Sequence, residues 1–269
     1  MNRLIHLNRL IGTLLLLCSL ASAQYDFSLQ IMDESENRSR AGTQQYEGTL
    51  EVITASNKVS VKHWKYRRIG SNGASKAILR FTAPAEVKGV ALLIVNHTDR
   101  SSDQWMWTPA IERDRRIAAQ DRSTRFFGTD FSFEDLEERD IDQFDYKFQD
   151  EESIGGLACW KIESKPKQSV SSQYTSSMLW IRKDNYLAAQ IENYSSSGAH
   201  NGLSPVRSDK LVRRIRYSDI QNVGGIWTPR TVEVYDATRK SRTVLKLEKL
   251  EYNVPMKDED FTLEALRHG

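Results

Sequence analysis

The sequence predicts a mainly β protein, a sandwich or barrel of about a dozen short antiparallel strands. Three observations lead there. Apolar and polar residues alternate with period two along most of the chain, as in Tyr46, Gly48, Leu50 and Val52 set against Glu47, Thr49 and Glu51. Gly, Asn, Asp and Ser interrupt this alternation at hairpin-like intervals. No rhythm of strand, helix and strand is present, which excludes a doubly wound α/β fold.

The elements follow in order. Residues 1–23 read as a secretory leader: Arg3 and Arg9 form a positive start, Leu10 to Leu20 is apolar, and Ala21-Ser22-Ala23 is a small-residue cleavage site. The apolar run is well short of the ~20 residues that span a bilayer. Leu17 is too bulky to precede a lipidated Cys18. Residues 24–269 are then read as a single domain with no Pro- or Ser-rich linker. Tyr25 to Asp33 is a candidate helix. Strands are expected at Tyr46–Val52, Val59–Trp64, Ala77–Phe81, Val90–Val95, Gln104–Thr108, Phe144–Phe148, Ala158–Glu163, Met178–Ile181, Ala188–Tyr194, Leu211–Tyr217, Ile226–Tyr235 and Thr243–Tyr252. Val90–Val95 is apolar at every position, so both of its faces should be covered. Ser132 to Glu138 has a Ser cap and early acids, the pattern of a helix start. Ser195 to Asp209 reads as a long hairpin loop, and Asp260 to Leu266 as a closing helical turn capped by Asp260.

Charge and motif content exclude several functions. The chain has 38 Lys and Arg against 36 Asp and Glu, but Arg3 and Arg9 belong to the leader, which holds no acid, so the remainder is balanced. A balanced chain lacks the basic footprint that nucleic-acid binding needs. Arg113, Arg115 and Arg116 form a basic cluster read as an exposed turn. His63, His97, His200 and His268 are dispersed, without metal-ligand spacing. No nucleophile elbow, phosphate loop or dinucleotide fingerprint occurs. Asp130, Glu134 and Asp135 could serve acid–base chemistry, but acids at a helix end are more simply capping groups. No catalytic residue, metal or cofactor is assigned. Cys159 lies in a strand pattern with no base beside it and reads as a buried, inert thiol. Trp105 and Trp107 share one face of their strand and require a core, a partner or an internal cavity.

A series of segments resembles the outer-membrane lipoprotein-sorting protein family, relatives of the periplasmic carrier LolA and the receptor LolB. It comprises Phe81-Thr82-Ala83-Pro84-Ala85-Glu86-Val87-Lys88-Gly89, Trp105-Met106-Trp107-Thr108-Pro109-Ala110, Arg115-Arg116-Ile117 and Phe127-Gly128-Thr129-Asp130-Phe131-Ser132-Phe133-Glu134-Asp135-Leu136. Cys159-Trp160-Lys161-Ile162-Glu163, Trp180-Ile181, Trp227-Thr228-Pro229 and Phe261-Thr262 continue it, so that it spans about Gln44 to Leu266. The extended Ser195 to Asp209 loop departs from the family, in which a short turn is expected.

The resemblance implies a strongly curved antiparallel sheet, an incomplete barrel, with a few helices over its concave apolar face. It implies a periplasmic, non-enzymatic carrier that binds acyl chains of lipids or lipoproteins and makes transient membrane contact. An inner-membrane transporter of the resistance-nodulation-division type is the implied partner. Candidate cavity or lid residues are Leu93, Trp105, Trp107, Phe126, Phe127, Phe131, Phe133 and Leu136. The rival reading is an interaction module that docks on an envelope transporter and carries nothing; a filled sheet interior would favour it.

Overall fold

The computed structural model describes residues 27–71, 73–196 and 209–269. The leader, Cys18, the start of the first predicted helix and most of the Ser195–Asp209 loop lie outside the described residues. A helix, α1, covers residues 27–39. Six strands follow: β1 (Thr43–Ile53), β2 (Val59–Ser71), β3 (Ala74–Ala83), β4 (Ala91–Val95), β5 (Asp103–Thr108) and β6 (Arg113–Arg116). After a long irregular segment come β7 (Phe144–Ile154), β8 (Leu157–Pro166), β9 (Ser176–Arg182), β10 (Ala188–Ser196), β11 (Asp209–Val223), β12 (Ile226–Asp236) and β13 (Ser241–Tyr252). A short helix, α2 (Leu263–His268), closes the chain. No described helix is long and apolar enough to cross a membrane.

All thirteen strands form one sheet in the order β6-β5-β4-β3-β2-β1-β13-β12-β11-β10-β9-β8-β7. Every pairing is antiparallel, and β13 returns to β1. β6 and β7 are the free edges, so the sheet curves into a barrel that does not close. Each of the twelve predicted strands is present and most are longer than their apolar core. β6 is the addition. Arg-Asp-Arg-Arg carries no apolar alternation, and only its pairing with Trp105 to Thr108 makes it a strand.

One face of the sheet carries the main core. Leu50 on β1, Trp64 on β2, Leu79 and Phe81 on β3, Leu92 and Ile94 on β4, Ile162 on β8, Ile181 on β9, Val234 on β12 and Leu245 on β13 are all buried there. Ile31 and Met32 of α1 pack onto the same core. Burying a side chain of this size contributes roughly 1.5–3 kcal/mol before entropy.

The other face of β3 to β5 has its own cluster. Ile78, Ala91 and Leu93 lie under Phe261 and Leu266, with Trp105 and Trp107 packed beside them. The Val90–Val95 run is therefore covered on both sides. The closing turn is capped differently from the sequence expectation. Asp260 accepts from the Lys257 amide of a preceding 3-10 turn, whereas the Thr262 hydroxyl accepts from Ala265 N and caps α2. Thr262 is the residue in extended conformation at the junction, the geometry an N-cap requires. The Ser132–Glu138 segment winds into a single 3-10 turn, Glu134–Leu136, instead of an α-helix. Ser132 and Asp135 still bond reciprocally there.

Gly48 is required by a close approach. A Cβ at this position would overlap Trp64 Nε1 and touch a methyl of Leu245, because the indole lies across the β1 backbone. Gly48→Ala is expected to cost about 1–3 kcal/mol, the usual range for overpacking a filled site. A urea titration should show a lower midpoint at unchanged slope.

Candidate functional site

The segment from Ile117 to Gln143 connects the two free edges by crossing the concave face. It forms a roof, and its tip is a tight turn. Phe126 N donates to Phe131 O at 2.8 Å, and Phe127 and Gly128 both take positive φ, 45° and 74°. That turn presents Asp130 to the middle of the sheet. Asp130 is fully buried. Its carboxylate accepts from Ser241 Oγ at 2.5 Å, Thr243 Oγ1 at 2.8 Å and Arg125 Nη2 at 2.7 Å. Its backbone N–H donates to Thr243 Oγ1, and its carbonyl accepts from Arg213 Nε.

Three further acids of the roof are held by arginines. Asp135 meets Arg213 Nη1 at 2.8 Å and accepts from Tyr174 OH at 2.6 Å. Glu137 takes a two-pronged contact from Arg122 at 2.5 and 2.7 Å. Glu138 accepts from Arg68 at 2.5 Å and from Ser75 Oγ at 2.6 Å. Glu134 accepts from Ser172 Oγ and Gln173 N. Asp130, Glu134 and Asp135, the three carboxylates with catalytic potential in the sequence, are thus fastenings of the roof. Arg68 and Arg213 were not singled out from the sequence, where each stands beside a second arginine, Arg67 or Arg214, that faces the other way.

Two cavities remain between roof and sheet. The first, about 370 Å³, has Trp64, Leu79, Ile94, Val232, Leu245 and Leu247 on the sheet side and Phe131 and Leu136 on the roof side. Tyr46, Tyr66, Gln44 and Tyr252 line it as well. The second, about 400 Å³, lies over Ile191, Ile215 and Tyr217, with Arg139, Gln143, Phe144 and Tyr174 around it. Ser39, at the end of α1, and Asp135, Glu137 and Glu138 border both.

The predicted site residues separate into three groups. Phe131 and Leu136 line the first cavity. Phe126, Phe127 and Phe133 form an aromatic plug with Phe81; Phe126 stacks on Phe81 at 5.3 Å and meets Phe127 and Phe133 edge-on. Leu93, Trp105 and Trp107 are corrected. They lie on the opposite face under α2, far from either cavity in register, because Leu93 pairs with Trp105 while Leu92 and Met106 point inward. Sequence reasoning missed Tyr46, Trp64, Tyr66, Leu245 and Leu247; in β2 the apolar Val59 and Val61 alternate out of phase with Trp64 and Tyr66 and are exposed.

Charge is unevenly spread near α1. Burial, reinforced by Asp140, pushes the Glu36 carboxyl up to about 7; Glu138 and Asp33 add to the rise and Arg40 opposes it. Asp140 is also raised, chiefly by burial. A raised carboxyl favours the protonated folded state. Its contribution is complete below the ordinary value of 4.5 and is lost as pH rises toward about 7. Glu36→Gln should therefore gain stability relative to the parent across that window and level off above it. Urea titrations from pH 4 to 8 check the slope.

The curved sheet crossed by its roof is a fold shared with several solved structures. A domain of outer membrane lipoprotein-sorting type from Vibrio parahaemolyticus matches with TM-score 0.81 at 22% identity, over 90% of this chain and 99% of the other. A DUF1329 family protein from Desulfovibrio piger matches with TM-score 0.80 at 26% identity, over 91% and 98%. A LolA superfamily protein from Nitrosomonas europaea follows with TM-score 0.68 at 19% identity, over 88% and 98%. The profile of a protein family described as an uncharacterized protein matches residues 73–268, and this chain belongs to that family. No curated protein matches the chain.

Proposed function

We propose that this chain is a non-catalytic periplasmic carrier that holds acyl chains of lipids or lipoproteins between sheet and roof. The observation that carries the reading is the pair of cavities, about 370 and 400 Å³, that lie between the concave sheet face and the roof. Each falls within the ~300–1,000 Å³ typical of small-ligand sites. An unfilled interior of this kind speaks for carriage over docking alone. The physical need is plain: burying one CH₂ is worth about 0.8 kcal/mol, so a 16-carbon chain exposed to water costs roughly 13 kcal/mol. Release requires a roof that opens, and because the roof is one continuous segment fastened by its acids and its phenylalanine plug, those contacts must break together. Loading from an inner-membrane transporter of the resistance-nodulation-division type, with transient membrane contact, completes the proposed cycle.

Native mass spectrometry of protein purified from the envelope, beside a delipidated control, tests the reading. Bound lipid in the first and its return on incubation with vesicles are expected. Absence of bound lipid, together with no uptake of a fluorescent fatty acid, would overturn it.

A further inference from the structure

The first cavity has an apolar end and a donor end. Tyr46 and Tyr66 are register partners on β1 and β2, and their rings stack at 4.8 Å. Both residues are half-buried, and neither hydroxyl has a hydrogen-bond partner among the described residues. Beside them Trp64 is 2% exposed, and its Nε1–H meets no acceptor. Buried polar groups in folded proteins are nearly always paired, so the unpaired Trp64 N–H, beside two hydroxyls on the same cavity that no side chain answers, is a signal. Their neighbours do not answer it. Tyr252 OH is engaged with Thr228 Oγ1 at 2.6 Å, and Arg68 is committed to Glu138.

The chemistry of the missing partner follows from the donors. An indole N–H can only donate. Burial raises both tyrosines, Tyr66 to about 12, so each keeps its proton at neutral pH and can donate too. A group that satisfies this end must present acceptors, and the apolar end beyond Leu79 and Leu245 asks that it be attached to a hydrocarbon.

Resting on the carrier reading, we infer that Tyr46, Tyr66 and Trp64 recognise the carbonyl oxygens of ester- or amide-linked acyl groups, so that the cavity selects acyl over alkyl chains. The carbonyls sit at the tyrosine end and the chain runs over Trp64 toward Leu245. The Trp64 N–H becomes reachable as the ligand displaces Phe131 and Leu136, the roof residues on that cavity.

The test compares two probes of equal chain length, a diacyl phosphatidylethanolamine and its dialkyl ether analogue, extracted from labelled vesicles. Ether oxygens are poorer acceptors, and an unmade bond at a buried donor is worth about tenfold in affinity. The parent protein should take up the diacyl probe about tenfold better. Trp64→Phe and the double change Tyr46→Phe with Tyr66→Phe should each shrink that ratio toward one, diacyl uptake falling by a larger factor than ether uptake in protein that circular dichroism shows to be folded. A parent that takes up both probes equally, or a ratio that survives these changes, overturns the inference and leaves the carrier reading standing. Uptake of neither probe overturns both.

Discussion

Asp130→Ala is expected to destabilise the protein by about 3–5 kcal/mol, the cost of removing one partner from a buried ionic cluster. Four donors converge on this one residue: Ser241 Oγ, Thr243 Oγ1 and Arg125 on the carboxylate, and Arg213 Nε on the carbonyl. Alanine keeps the carbonyl but strands the two hydroxyls on β13 and leaves the Arg125 guanidinium, which is only 19% exposed, without its anion. The loss should also be local. Amide hydrogen exchange should accelerate between Phe126 and Leu136 at low denaturant, before the sheet opens. Asp130→Asn should fall between alanine and the parent, since its one oxygen still accepts from a β13 hydroxyl while its amide faces Arg125. Uniform exchange across roof and sheet in the alanine variant would show that the roof is not a separable unit.

That the roof hangs on Asp130 explains what the sequence did and did not disclose. The strands were legible because period-two alternation reports a sheet with one covered face, and the twelve apolar stretches all became strands. β6 was hidden because a strand of Arg113 to Arg116 is defined by its partner and not by its own composition. The aromatic-rich roof was recognisable as a cover, and two of its residues, Phe131 and Leu136, border the cavity. Which strand parity faces inward was the harder question. Val90–Val95 is apolar at odd and even positions alike, so nothing local told Leu92 from Leu93. Trp105 and Trp107 shared a face, but that face is covered by Phe261 and Leu266 from the far end of the chain. Tertiary contacts with so great a sequence separation leave no local trace. Tyr46 and Tyr66 fall on the inward parity of alternating strands, and their lack of partners exists only once the fold brings them together.

Leu136→Glu is expected to reduce lipid uptake at least tenfold in protein that stays folded. Leu136 is partly buried on the roof and lines the first cavity, opposite the Leu245 and Leu247 wall. A glutamate there has a route toward solvent at the roof, so the fold survives, but it places a charge or its water where a chain would lie. Excluding only two methylenes from the cavity forfeits about 1.6 kcal/mol, already more than tenfold in affinity, and desolvating a carboxylate adds to it. The control is Leu93→Ala. Leu93 is buried on the opposite face against Phe261 and Leu266, so its truncation should cost about 2–5 kcal/mol of stability and leave uptake by the folded fraction intact. The two variants thus separate cavity from core: one loses ligand at little cost in stability, the other loses stability at little cost in ligand. Uptake measured from labelled vesicles alongside urea titrations reads both. If Leu136→Glu binds like the parent, the first cavity does not hold the chain, and the second, over Ile191, Ile215 and Tyr217, becomes the place to put the next charge.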